Sequence, residues 1–278
     1  MSETHAPKIP SLVKKYLMAA TGLVLVAFVL GHMLGNLQMF AGSPDKINRY
    51  ANFLQSLGEI LYAIRLFLLA CVVAHVWMAV LLTLENRRAR PERYQKDATV
   101  QASYASRTMI WSGLIVGAFV VYHLADYTLQ VVHPIFKSFE YERNGQRMHD
   151  VYAMVIAGFS EPVIAGFYIV AVGMLCAHLS HGVSSMFQSL GLRNEKWRGW
   201  LNNFAVLYGW AIFLGFAAVP AAVQVSLHGG PQLVPARLVL DQINAAQQAW
   251  NPAAPTPVLV NYGAAPVDAS PAKTAQNP

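Results

Sequence analysis

The sequence carries very little charge for its length. Only 12% of its 278 residues are Asp, Glu, Lys or Arg, whereas 55% are hydrophobic. A water-soluble domain needs more charged residues than this to cover its surface, so the composition excludes an ordinary soluble protein and favours one that faces lipid. The formal net charge of +6 is no evidence for nucleic-acid binding, because Lys and Arg in loops also orient membrane proteins.

Cysteine and the common cofactor motifs are nearly absent as well. The two cysteines, Cys71 and Cys176, both lie inside apolar runs, which excludes a disulfide framework and indicates buried thiols. The chain contains no P-loop, zinc-finger spacing or dinucleotide fingerprint. No internal repeat is evident on reading along the chain.

Long apolar runs are what the sequence has in quantity. A membrane-spanning helix needs about 20 predominantly apolar residues, and its backbone groups must be satisfied within the segment. The sequence therefore predicts an all-α membrane bundle of five transmembrane helices over residues 1–228. The five predicted helices are Leu17–Phe40, Ile60–Leu84, Met109–Val132, Pro162–Phe187 and Phe204–Leu227.

The basic residues are distributed unequally over the two sides of this bundle. The N-terminus and the connections after the second and fourth predicted helices carry 12 Lys and Arg, against 7 on the opposite side. Because Lys and Arg accumulate in cytoplasmic loops, we expect a cytoplasmic N-terminus and an external C-terminus.

Two segments outside the spans receive weaker predictions. In the long third connection, His149–Phe159 is apolar enough to form a short helix at the outer interface. Beyond Gly229 the composition shifts to Pro, Ala, Gln and Asn. We expect this external tail, residues 229–278, to be mostly disordered, with some helix around Asp241–Trp250.

Each of the first four predicted helices contains one histidine well inside it: His32, His75, His123 and His178. Ionisable side chains are costly in a membrane, so each is a functional hypothesis. Successive helices alternate in direction, and at about 1.5 Å rise per residue His32 and His123 both lie roughly 12 Å below the outer surface. His75 and His178 share a depth nearer the inner side.

Two histidines at one depth are what an axially ligated haem requires, since each imidazole supplies one nitrogen to the iron. Two such pairs would give an electron path across the bilayer. A single membrane histidine more often forms an interhelical hydrogen bond, and a proton-relay transporter also uses buried histidines. Four histidines matched in depth favour two haems. His181 lies one turn from His178, so position alone leaves open which of them binds iron.

These residues resemble the dihaem cytochrome b membrane-anchor subunit of the succinate dehydrogenase and fumarate reductase (succinate:quinone oxidoreductase) family, over about residues 14–227. The matching motifs are Gly31-His32 with Asn36, Ala74-His75, Tyr122-His123, and the stretch from Ala177-His178 through Gly182 to Gly191. In this family the fourth ligand stands four residues before one glycine and thirteen before another. His178 fits both spacings, and His181 is therefore assigned to the surroundings of the ligands.

The resemblance implies the rest of the functional expectation. His32 with His123 would bind the outer haem b, and His75 with His178 the inner one. A flavoprotein subunit and an iron–sulfur subunit would dock on the cytoplasmic face of a bacterial inner membrane, and electrons from succinate would reach a quinone, commonly menaquinone. Some fumarate reductase members carry a glutamate two residues before the fourth ligand. Cys176 stands there in this chain, which favours succinate oxidation.

Several polar residues near the outer side are secondary candidates. Arg65, at about the depth of the outer pair, would suit a haem propionate, although a long side chain reaching to the interface explains it equally well. Five further residues are candidates for proton exchange at a quinone site, with ordinary interfacial roles as the alternative: Asp126, Tyr127, Glu161, Arg49 and Tyr50.

Overall fold

The structure is a computed structural model that describes residues 9–89, 104–248, 250–251 and 255–262. Within these ranges the chain forms eight α-helices and one small three-stranded sheet. The helices are α1 (Ser11–Asn36), α2 (Pro44–Ser56), α3 (Glu59–Arg88), α4 (Tyr104–His123), α5 (Val151–Gly158), α6 (Pro162–Ser189), α7 (Glu195–Leu227) and α8 (Ala236–Gln247). The strands are β1 (Phe139–Arg143), β2 (Gln146–His149) and β3 (Val258–Leu259).

Five of the helices are long and apolar enough to cross a membrane. They are α1, α3, α4, α6 and α7, and they coincide with the five predicted spans. A 3₁₀ turn extends α1 to Phe40, and a π-helical turn extends α4 to Thr128. The prediction of an all-α, five-helix, multi-pass membrane protein is confirmed.

The spanning helices alternate in direction and pack in a connected bundle. The most extensive contact is between α6 and α7, while α1 packs against α3, α6 and α7, and α4 packs against α6. We call the end where α1 begins and α3 ends the basic end. There the buried Lys14 forms an ion pair with Glu85, which joins α1 to α3. Which end faces the cytoplasm stays a prediction from the distribution of charge.

The contact between α6 and α7 depends on Gly209. A Cβ atom at this position would lie 2.4 Å from Ser180 Oγ and 2.8 Å from the carbonyl oxygen of Cys176. Small residues allow membrane helices to approach closely, which strengthens their packing in the absence of a hydrophobic driving force. Gly209 therefore sets the distance between the two helices that share the most surface.

Replacing Gly209 by Ala is expected to destabilise the bundle by about 1–3 kcal/mol, because the added methyl group must displace backbone of α6. Thermal unfolding of the purified protein in detergent measures this as a lower midpoint. Gly199→Ala is the matched control, since a Cβ on Gly199 of the same helix meets nothing within 4 Å. An equal midpoint for the two variants would contradict the close approach.

The opposite end of the bundle is covered by a small folded cap. The largest cluster of buried apolar residues lies here and combines α5, α8 and the sheet with the ends of α6 and α7. In the sheet β1 pairs with β2 in antiparallel and with β3 in parallel register. The predicted helix over His149–Phe159 is present as α5 and is buried in the cap, as suits a helix that is apolar on all sides. Its position at the outer interface stays a prediction.

The predicted disorder beyond Gly229 is wrong for residues 229–248 and 255–262. Here α8, which begins five residues before the predicted Asp241, buries Ala236, Val239 and Ile243 against the cap. Their spacing places them on one helical face. Gln242 then fixes the backbone of Asn261 through both its amide atoms, at 2.8 and 2.7 Å. Residues 263–278 of the predicted tail lie outside the described part of the chain.

A buried carboxylate holds the cap together. Asp150 is fully buried and accepts hydrogen bonds from Asn48 Nδ2 (3.0 Å), the Ala153 backbone N–H (3.0 Å) and the Tyr262 hydroxyl (2.6 Å). Burial raises the pKa of this carboxyl, and the hydrogen bonds act in the opposite direction. The network ties three segments that are distant in sequence, α2, the start of α5 and the strand region after α8.

Candidate functional site

The imidazoles of His32 and His123 meet near the capped end, where His32 is exposed and His123 is partly buried. Their ring centroids are 5.8 Å apart, with an angle of 72° between the ring planes. Two imidazoles bound to one metal ion have facing nitrogens about 4 Å apart, because each metal–imidazole bond is about 2 Å, so their ring centres are roughly 6 Å apart. The observed separation therefore agrees with two axial ligands. These two residues come from α1 and α4, the pair expected from depth.

His75 and His178 lie closer to the basic end and are near enough to interact electrostatically. The Nδ1 atom of His75 lies 3.1 Å from the Met18 carbonyl oxygen, to which it donates. The Nδ1 atom of His178 lies 3.3 Å from Ser112 Oγ, and that hydroxyl donates to the Met109 carbonyl at 3.1 Å. Both histidines are thus held in the tautomer that leaves Nε2 free to bind a metal, as orienting partners of ligating histidines do.

The surroundings of the two inner histidines are nearly the same. Thr21 Oγ1 lies 3.4 Å from Nδ1 of His75, as Ser112 Oγ lies near His178. A Cβ on Gly22 would lie 3.3 Å from Cε1 of His75, and a Cβ on Gly113 would lie 3.3 Å from Cε1 of His178. Each ring is therefore seated against a hydroxyl–glycine pair on a neighbouring helix.

This correspondence extends along twelve residues of α1 and twelve of α4. The segments Thr21–His32 and Ser112–His123 are identical at six of twelve positions. Phe28 lies 5.6 Å from the ring of His32, and the equivalent Phe119 lies 5.9 Å from that of His123. The chain therefore contains a local internal repeat, which inspection of the sequence missed. Each copy supplies a hydroxyl and a glycine that contact one of the two histidines His75 and His178, and each copy contributes one histidine to the pair of His32 and His123.

The residues present fit two bis-histidine metal centres. Among the described residues no three His, Cys, Asp or Glu side chains converge as a metal site, but a haem iron needs only two protein ligands. The Nδ1 atom of His123 is buried and has no hydrogen-bond partner within the described part of the chain. Asn36, part of the first motif, donates to the His32 carbonyl at 2.8 Å and lies 3.5 Å from its Nε2.

Two ligand candidates remain, His181 and Arg65, and of the two His181 lies near one of these histidines. His181 Nε2 contacts Ser185 Oγ at 3.1 Å and is electrostatically close to both His178 and Arg193. Arg65 is exposed on α3, with its guanidinium 5.8 Å from the centre of the Tyr62 ring. The exposed position is compatible with a residue that reaches to the interface, and the contact with a haem propionate stays a prediction.

A polar cluster lies beside His123 at the capped end. Asp126 is fully buried, 2.7 Å from His133 Nδ1 and 3.5 Å from the hydroxyl of Tyr168. The ring of Tyr127 is 5.6 Å from that of His123, and its hydroxyl is buried without a hydrogen-bond partner among the described residues. The structure thus brings two predicted residues, Asp126 and Tyr127, together with two that the sequence analysis did not single out.

The other three quinone candidates are not part of this cluster. Glu161 is exposed and precedes α6, while Arg49 is exposed and lies 3.7 Å from Asp45. Tyr50 is also exposed, although its ring packs onto Gly35 one turn from His32. Whether these three residues serve a quinone site or the membrane interface stays a prediction.

The fold and these contacts define a multi-pass helical membrane protein in which the rings of His32 and His123 are in contact and His75 lies near His178. No family model, no curated protein and no solved structure matches the chain.

Proposed function

We propose that the chain is the dihaem cytochrome b anchor subunit of a succinate dehydrogenase. In this proposal His32 and His123 bind one haem b, and His75 and His178 bind the other. The observation that carries the proposal is the pairing of four histidines from four helices in two layers. The similar surroundings of His75 and His178 give further support to the proposal, since the contacts at Nδ1 orient both rings and leave Nε2 free to bind a metal.

Each bound haem b supplies a one-electron carrier whose potential depends on its ligands and surroundings. The chain would provide the ligating nitrogens, the hydroxyls and carbonyl that orient His75 and His178, and apolar side chains around the ligands. Phe28 and Phe119 contact the outer pair, and a low dielectric around the ligands strengthens every hydrogen bond that holds them. Two layers would carry electrons from one side of the membrane to the other.

The quinone would react at the capped end, next to the outer pair. The cluster of Asp126, His133, Tyr168 and Tyr127 supports this placement, because it combines a buried carboxylate with a tyrosine hydroxyl that is free to donate. Reduction of a quinone needs protons as well as electrons, and groups of this kind deliver them. His133 is partly exposed and would connect Asp126 with the outside. The quinone is proposed to be menaquinone.

The orientation and the partners complete the proposal. The basic end would face the cytoplasm of a bacterium and carry the iron–sulfur and flavoprotein subunits, which perform the dicarboxylate chemistry. The direct test is to purify the chain with whatever co-purifies and to add succinate. We expect a subunit with covalently bound flavin and succinate-dependent reduction of the haem bands. A haem protein that succinate cannot reduce would contradict the assignment to succinate dehydrogenase.

Three alternatives remain distinguishable. A fumarate reductase anchor would carry electrons from quinol in the opposite direction, and a dihaem subunit of another quinone-linked dehydrogenase would respond to another substrate. A haem-free transporter would use the histidines as a proton relay and would purify without colour. Cys176, buried against α7 near Gly209, occupies the place of the proton-transferring glutamate and favours succinate oxidation.

His181→Ala is expected to leave both haems bound, because the contact with Ser112 orients His178, and not His181, as the ligand. Loss of a neighbouring imidazole should shift the reduction potential of the inner haem alone. A redox titration followed optically at the haem bands measures this. Complete loss of the inner haem in the variant would show that His181, not His178, is the ligand.

A further inference from the structure

Arg193, in the turn between α6 and α7 at the basic end, has an incomplete set of partners. Its guanidinium donates to Gln188 Oε1 at 2.8 Å and to Asn202 Oδ1 at 3.3 Å. Its Nε is buried and has no hydrogen-bond partner among the described residues. Asn202 is itself fixed by the Ser184 hydroxyl, at 2.6 Å. The guanidinium is therefore held in one orientation by neutral groups, and its Nε–H is unused.

No described carboxylate neutralises this charge. The ion pairs of the described residues do not include Arg193 with any Asp or Glu. The charged or titratable neighbour that faces it is His181, which cannot supply a negative charge. A partly buried guanidinium with a free N–H is suited to a planar or tetrahedral oxyanion, which it can bind with two parallel hydrogen bonds.

The surface around Arg193 is typical of a membrane interface. Trp197 and Trp200 at the start of α7 are exposed, at 48% and 59%, and Trp side chains collect at the level of lipid headgroups. Lys196, in the same first turn of α7, lies 5.8 Å from the centre of the Trp197 ring, so the start of this helix carries a second cation. Basic pockets between transmembrane helices at this level bind the headgroups of anionic lipids.

We propose that Arg193, oriented by Gln188 and Asn202, binds the phosphate of an anionic phospholipid at the basic end. Trp197 and Trp200 border the site at headgroup level, and Lys196 contributes the second positive charge. The site is independent of haem binding and of the assignment to succinate dehydrogenase, because none of its residues belongs to the histidine pairs.

The test is lipid binding by the full chain in detergent. Phosphatidylglycerol or phosphatidylcholine is added in steps, and native mass spectrometry gives the affinity for each bound lipid. We expect tight binding of the first phosphatidylglycerol to the unaltered protein. Binding to the Arg193→Gln variant should be roughly ten-fold weaker, because a charge-assisted hydrogen bond is lost. Arg193→Lys, which keeps the charge but loses the fork of N–H donors, should lie between the two.

The matched control is Arg88→Gln, an exposed arginine at the same end whose loss changes net charge equally. An equal loss of phosphatidylglycerol affinity in the two variants would show that only the net charge matters, and it would overturn the proposal. An unaltered affinity in Arg193→Gln together with a shifted haem potential would also overturn it, since the oxyanion would then be a haem propionate. If Arg193→Gln lowers the thermal stability of the protein, the lipid affinity of Arg193→Lys is the deciding measurement. Full lipid affinity in Arg193→Lys would contradict the proposal that an oriented guanidinium binds the phosphate.

Discussion

Replacing His32 by Ala is expected to remove one haem from the chain and to leave the other with its reduction potential nearly unchanged. The same haem should be lost in His123→Ala, because the two rings meet 5.8 Å apart and iron held by one imidazole loses half its protein ligands. His75→Ala and His178→Ala should remove the other haem. Each variant is expected to contain about one haem per chain, and redox titration identifies which one remains.

Double variants make the pairing testable without knowledge of the potentials. His32→Ala combined with His123→Ala should lose no more haem than either single change, since residues that act as a unit are not additive. His32→Ala combined with His75→Ala should lose both haems. His228→Ala is the control: the ring of this exposed histidine at the end of α7 donates to the Gln224 carbonyl at 2.8 Å, away from both pairs in sequence, and both haems should stay. Loss of the same haem in His32→Ala and His75→Ala would contradict the two-layer arrangement.

Asp126→Asn is expected to lower quinone-linked turnover by roughly 10²–10⁴-fold, the usual contribution of a positioned acid or base. The variant keeps the size of the side chain, so the bundle and both haems should persist. It removes the negative charge that His133 contacts at 2.7 Å, and with it the proposed route for protons. Steady-state reduction of a water-soluble quinone, compared with single-turnover reduction of the haems by succinate, separates proton delivery from electron delivery.

A suitable control for this variant is Glu142→Gln. Glu142 is an exposed carboxylate on β1 of the cap, paired with Arg147 at 3.2 Å, and its replacement should change turnover little, as for surface ion pairs generally. Slow haem reduction in Asp126→Asn would indicate damage to the electron path. Full quinone turnover in Asp126→Asn would remove Asp126 from the proposed site.

The spanning helices and the pairing of His32 with His123 could be predicted from the sequence, because both follow from local rules. Apolar length identifies a span, and a constant rise per residue converts position into depth. The same rules failed for the cap, where Asn48 and Asp150 are 102 positions apart and no local pattern joins them. The tail was misjudged on composition, although Ala236, Val239 and Ile243 already had the spacing of a buried helical face.

The orienting groups of the inner pair were missed for a different reason. Thr21 and Ser112 are ordinary residues in apolar helices, where a hydroxyl usually bonds to its own backbone. Only comparison of Thr21–His32 with Ser112–His123 reveals them, since each hydroxyl stands eleven residues before a histidine in both segments. His133 and Tyr168 gave no such signal: they reach Asp126 only through the turn after α4 and the packing of α6.

Haem content of the purified, intact chain tests the central claim most directly. The pyridine haemochrome assay, applied to protein quantified by amino-acid analysis, gives the number of b-type haems per chain. The account predicts two, with sharp absorption bands on reduction by dithionite. A pure and folded preparation that contains no haem would contradict it and leave the four histidines as hydrogen-bonding or proton-carrying groups.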